Sequence, residues 1–78
     1  MNLTLAELGE RVKARRELPT PDVRRSLRRG AGISAADLAQ VVGVSEGAVL
    51  AWETGRRAPS GRNLDRYVAA LHILRGGP

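Results

Sequence analysis

The side chains that could do chemistry in this chain are nearly all arginines. Twelve arginines and Lys13 stand against eight carboxylates, for a net charge of +5 and an isoelectric point near 11.3. So basic a small chain favours an anionic partner, most often nucleic acid. High arginine and alanine usage also follows from a GC-rich genome, so charge alone does not decide the partner. What is missing narrows the chemistry further. There is no cysteine, which excludes disulfides, thiolate nucleophiles and cysteine-based zinc sites. His72 is the single histidine, so no histidine metal site is expected. One histidine and four serines do not make a nucleophile, a base and an orienting third group. No glycine-rich loop precedes a helix in the nucleotide-binding patterns. The chain reads as a non-enzyme with no metal and no cofactor.

The cations are grouped. Residues 1–10 carry only Glu7 and Glu10. Residues 11–29 carry Arg11, Lys13, Arg15, Arg16, Arg24, Arg25, Arg28 and Arg29 against Glu17 and Asp22, a net of +6. Residues 30–53 carry only Asp37, Glu46 and Glu53, and residues 54–66 carry Arg56, Arg57, Arg62 and Arg66 against Asp65, a net of +3. Two basic blocks flank an acidic centre.

Helices must position these groups: five helix signals occur and no strand signal. Thr4-Leu5-Ala6-Glu7 has capping-box spacing, and Leu5, Leu8 and Val12 follow on one face of a helix expected from Leu5 to Glu17. Leu18-Pro19 ends it. Thr20 is the expected N-cap of a second helix with Pro21 in its first turn. Val23 and Leu27 form its narrow apolar stripe, and Gly30 and Gly32 stop it. Ser34 caps a third helix with Asp37 near its positive end. That helix carries Leu38, Val41 and Val42 and stops at Gly43. Ser45 caps a fourth, which carries Ala48, Val49 and Trp52 and stops at Gly55. Pro59-Ser60 starts a fifth, with Leu64, Val68 and Leu71 on one face. Trp52 is expected in the core and Tyr67 is expected to be packed or surface-lying.

At 78 residues the chain is expected to be one small domain with a thin core, burying about 60% of its extended surface. That leaves no room for a sensing domain, and no small-molecule ligand is expected. No apolar run approaches the ~20 residues of a membrane span, and no signal peptide is visible. A cytoplasmic, nucleoid-associated protein of a bacterial or phage-infected cell is expected.

The link between the third and fourth helices is the most informative. Val42-Gly43-Val44-Ser45 leaves about three non-helical residues, which fits the ~90–120° crossing of two helices around a tight turn. Gly43 supplies the left-handed residue. Val44 is placed to tuck between the helices, and the helix start at Ser45 is open to a phosphate.

From Arg24 to Leu71 the chain resembles the phage repressor, Cro and Xre type of helix-turn-helix domain, also called lambda repressor-like. The matching residues are Arg28, Leu38-Ala39, Gly43-Val44-Ser45, Trp52-Glu53, Gly55, Arg56-Arg57 and Pro59, with the family's spacing throughout. The resemblance implies an all-α fold of five short helices. Its parts are an added N-terminal amphipathic helix and linker (1–19), the helix-turn-helix domain (20–75) and a frayed tail (76–78). It implies that helix 45–54 enters the major groove, with Ser45, Glu46, Gly47, Leu50 and Ala51 facing bases. Phosphate contacts are expected from Arg56, Arg57, Arg62 and Ser34. It also implies a partly buried structural ion pair between Arg28 and Glu53. Ala35 stands where the family often has a phosphate-binding Gln.

The expected function is a sequence-specific transcriptional regulator of repressor or Cro type, of phage or mobile-element origin. It would bind double-stranded DNA, with a homodimer on an inverted repeat as the expected assembly. None of the outward residues of helix 45–54 is Arg, Lys, Asn or Gln, so base readout is modest or passes through DNA shape. Two alternatives stay open: a protein-binding adaptor or antitoxin, and an architectural or excision-type DNA binder. The Leu5-Leu8-Val12 stripe either packs on the core, the expected arrangement, or serves a second copy. Arg11 to Arg16 either follow a DNA backbone or form a solvated face.

Overall fold

The computed structural model describes residues 3–77. Five helices run in order: α1 (Leu5–Glu17), α2 (Pro21–Gly30), α3 (Ala35–Val42), α4 (Glu46–Thr54) and α5 (Gly61–Leu74). Among the described residues there is no strand. Local chemistry sets most of the ends. In α1 the Glu7 amide donates to Thr4 Oγ1 at 3.1 Å and the Thr4 amide to Glu7 Oε1 at 3.3 Å, the reciprocal capping box. Thr20 precedes α2 in extended geometry, but its hydroxyl donates to Asp22 Oδ1 at 2.7 Å and caps no amide. At the end of α2 the Gly32 amide reaches Arg29 O and the Ile33 amide Arg28 O. Gly32 has the positive φ of 73° that this closure requires.

The core lies among α2 to α5. Leu38, Ala39 and Val42 of α3, Val49 and Trp52 of α4, and Tyr67, Ala70 and Leu71 of α5 are buried together. The Trp52 and Tyr67 rings are tilted against each other with centroids 4.7 Å apart. Burying each such ring contributes roughly 4–6 kcal/mol at about 25 cal/mol per Å². Val68 is only half-buried, so Tyr67 takes the central place on α5. Val41 is 74% exposed, because the inward face of α3 is set by Leu38, Ala39 and Val42.

Two expected apolar faces are not where the sequence pattern puts them. Leu5 is 88% exposed, Leu8 and Val12 are also exposed, and α1 buries no residue at all. The expectation that this stripe packs on the core is corrected. α1 packs against α5, and its inner side is half-buried Arg11 and Ala14, followed by Leu18 at its C-cap. On α2, Val23 is exposed and the buried residue is Arg24. In the expected tail the Gly76 amide donates to Ile73 O and the Gly77 amide to His72 O, with Gly76 at φ 92°, a glycine closure of α5. Pro78, the last residue of the expected tail, lies outside the described residues, as do Met1 and Asn2 of the 1–19 segment.

Candidate nucleic-acid interface

Two arginines of α2 fix the orientation of α4. Arg28 Nε donates to Glu53 Oε2 at 2.6 Å and Arg28 NH2 to Glu53 Oε1 at 2.9 Å, a bidentate fork. The side chains are 11% and 2% exposed. Arg28 NH1 also donates to Ile33 O at 2.9 Å. One guanidinium thus ties together α2, the α2–α3 turn and the last turn of α4. The hydrogen bond to Glu53 is the main reason the Arg28 pKa is pushed above its ordinary value.

Arg24 works alongside it. Its Nε donates to Pro19 O at 2.7 Å and its NH1 to Trp52 O at 2.9 Å. Trp52 O is one of the carbonyls that the end of α4 leaves without a helical partner, and a cation there also suits the helix dipole. Desolvation lowers the Arg24 pKa. Beneath these groups Tyr67 is fully buried, and its hydroxyl has no hydrogen-bond partner among the described residues. Burial, reinforced by the Glu53 charge, pushes its phenol up to about 12.

The opposite end of α4 is open. Gly43 turns the chain at φ 85°, and its amide and that of Val44 both donate to Ala39 O, at 2.8 and 2.9 Å. Val44 is half-buried against the core. Ser45 Oγ then accepts from the Ala48 amide at 3.1 Å, as Ser34 Oγ accepts from the Asp37 amide at 3.0 Å at the start of α3. Each serine is exposed, and each hydroxyl keeps its own O–H free to donate.

A profile of the helix-turn-helix family matches residues 25–73, more than half of the chain. The chain belongs to the Xre, Cro and lambda repressor-like helix-turn-helix family. Comparison with curated proteins and with solved structures gave no match. Domains of this family bind DNA and are not enzymes. Among the described residues no three metal-ligating side chains cluster, and no helix is long and apolar enough to cross a membrane.

In this helix-turn-helix protein the motif is α3, the Gly43–Ser45 turn and α4. Ser45, Glu46, Gly47 and Leu50 are exposed together on α4. Ala51 is not with them: it is 5% exposed and packed inward. The reason is that α4 packs against both α2 and α3, so Ala51, Trp52 and Glu53 are buried in succession and the open face is narrower than helical periodicity suggests. That face continues to Thr54, four residues beyond Leu50, which is exposed. Arg56, Arg57 and Arg62 are all exposed around the α4–α5 loop. The loop is held by the Arg57 amide on Ala51 O at 3.2 Å and by buried Pro59. Ala35, at the start of α3, is buried. Sequence reasoning missed Arg24 and Thr54. The available signal for Arg24 was its place four residues before Arg28, on the same helical face.

Proposed function

We propose that this protein is a sequence-specific transcriptional regulator of repressor type that lays α4 in the major groove of DNA. One observation carries the reading: α4 is anchored at its C-terminal end by Arg24 and Arg28 while Ser45, Glu46 and Gly47 at its N-terminal end stand exposed. Glu46 is suited to accept from cytosine N4, Leu50 to meet a thymine methyl, and Ser45 to reach a base or phosphate. Gly47 lets the helix approach closely. Arg56, Arg57, Arg62 and the Ser34 hydroxyl hold the backbone and set the register. With so few base-reading side chains, DNA shape supplies much of the specificity.

A single module of this kind covers about 600–1,000 Å² of DNA, too little for tight specific binding alone. Two copies on an inverted repeat, with half-sites about one helical turn apart, meet the need. Occupying the operator excludes polymerase or a competing regulator. The test is selection from a random duplex library at physiological salt. An enriched inverted repeat is the expected result. Binding without enrichment replaces this reading with an architectural one. If no duplex is recovered, the DNA reading falls, and protein partners become the target.

A further inference from the structure

The whole of α1 precedes the segment matched by the family profile, and none of its residues is fully buried. Its contribution to the core is small, so what it places on the surface matters more. Its C-terminal half brings Arg11, Arg15 and Arg16 to the edge of a cleft of about 480 Å³, facing Ser60, Gly61 and Leu64 at the start of α5. Arg15 NH2 donates to Pro59 O at 3.4 Å, which anchors this edge to the α4–α5 loop. Arg56, Arg57 and Arg62 lie within three residues of Pro59 along the chain. Arg15 therefore joins the α1 arginines to the segment, from the α4–α5 loop to the first turn of α5, that carries these three.

The nearest compensation is slight. Arg11 Nε is 3.7 Å from Asp65 Oδ2, with both side chains partly exposed. Among the described residues Arg15 and Arg16 have no carboxylate partner. Arg11 and Arg15 are an i,i+4 like-charge pair, which costs a helix some stability, while Arg15 and Arg16 in the last turn suit the helix dipole. The acidic residues Glu7 and Glu10 fall in the first two turns. Arg15 and Arg16 are exposed and free of carboxylates, which leaves them open to an anionic partner.

We propose that Arg11, Arg15 and Arg16 form a second contact to the DNA phosphate backbone, continuous with Arg56, Arg57 and Arg62. Under this assignment α1 widens the footprint of the helix-turn-helix onto the flanking backbone and adds affinity without adding sequence preference. The inference rests on the DNA-binding reading above, and its test separates the two.

The experiment measures affinity of the full chain for a fluorescein-labelled duplex from the library selection, across a salt series. The variants are Arg15→Gln/Arg16→Gln, Arg56→Gln/Arg57→Gln and Arg29→Gln. The last is exposed in the final turn of α2 and does not line the cleft. Circular dichroism confirms that each is folded. For Arg15→Gln/Arg16→Gln the slope of log K against log salt should shrink by about 0.9 for each phosphate that is no longer neutralised. Affinity at 0.15 M salt should fall about fivefold for each such phosphate, on selected and scrambled duplexes alike. Arg29→Gln should behave as wild type, and trimming the flanks of the duplex should weaken wild type more than Arg15→Gln/Arg16→Gln. An unchanged slope for Arg15→Gln/Arg16→Gln beside a reduced one for Arg56→Gln/Arg57→Gln overturns this inference alone. Wild-type protein that binds no duplex overturns both readings. Shifts at Arg15 and Arg16 amides with inorganic phosphate, without any effect of these arginines on DNA binding, also overturn the assignment to the DNA backbone.

Discussion

α1 and α4 are both short helices, and they are held in opposite ways. α4 buries Val49, Ala51, Trp52 and Glu53 and is clamped from α2 by two guanidinium groups. α1 buries no residue and rests on α5 through half-buried Arg11, Ala14 and Leu18. Under the proposed function and the inference about α1, the difference separates two ways of meeting DNA. A helix that reads bases must be fixed in angle and depth, so it is over-determined by packing and bidentate hydrogen bonds. A helix that offers charge to a phosphate backbone needs only approximate placement, since Coulombic attraction falls off slowly with distance.

The largest expected effect lies in the α4 clamp. Glu53→Ala leaves Arg28 buried without its carboxylate and should cost about 3–5 kcal/mol. A domain of this size has only about 5–15 kcal/mol to lose, so urea unfolding followed by circular dichroism should find it marginal or unfolded. Replacing both partners by apolar residues, Arg28→Met/Glu53→Leu, should recover much of the loss, because no charge is then stranded. If Glu53→Ala costs under 1 kcal/mol, the clamp does not hold α4, and the contrast with α1 collapses.

Tyr67 lies under the same clamp and gives the next effect. Its phenol is held protonated up to about 12, whereas an unfolded tyrosine ionises near 10. Between those values the folded chain keeps a proton that the unfolded chain releases, so stability falls as pH rises. The contribution is complete below pH 10 and is lost at up to about 1.4 kcal/mol per pH unit from there towards 12. Tyr67→Phe should remove this component of the alkaline slope. At neutral pH it should be as stable as wild type or more so, because the buried hydroxyl has no partner to lose. An unchanged alkaline slope in the Phe variant would assign the loss to other groups.

The helix ends were legible in the sequence because their chemistry is local. Thr4 with Glu7, Ser34, Ser45, Gly43 and Gly55 act within a few residues of themselves, so type and spacing suffice. The inward faces were less legible, because distant elements choose them. Ala51 is buried only because α4 has helices on two sides. The Leu5-Leu8-Val12 stripe is out because α1 meets α5 through Arg11 and Ala14 instead. Arg24 resembles any surface cation in sequence, since its partners are the carbonyls of Pro19 and Trp52, which carry no sequence signature. The pairing of Arg28 with Glu53 was reached through family resemblance, because a separation of 25 residues leaves no periodic trace. Gly76 closes α5 by the same local chemistry with which Gly32 closes α2.

Gly47 sharpens the contrast from the α4 side. A Cβ built there meets nothing nearer than Ser45 Oγ at 3.9 Å, and φ is not positive. The fold has no steric need for glycine, which weakens a helix by roughly 0.5–1 kcal/mol relative to alanine. Gly47→Ala should therefore raise stability by up to about that amount and weaken binding to the selected duplex. Improved stability with unchanged DNA affinity would remove Gly47 from the proposed close approach.

The smallest effect is expected at the far end of α1. Leu5 is 88% exposed, so Leu5→Gln removes almost no buried area and keeps a good helix former. The change in unfolding free energy should stay within about 0.5 kcal/mol, the usual range for surface positions free of special contacts. The melting temperature of wild type and variant should also be the same at low and high protein concentration. A larger loss, above about 1 kcal/mol and growing with concentration, would mean that a second copy covers the Leu5-Leu8-Val12 stripe, since only association makes stability depend on concentration in this way. α1 would then be a packed element like α4, and its arginines would have to be reread as part of an interface between copies.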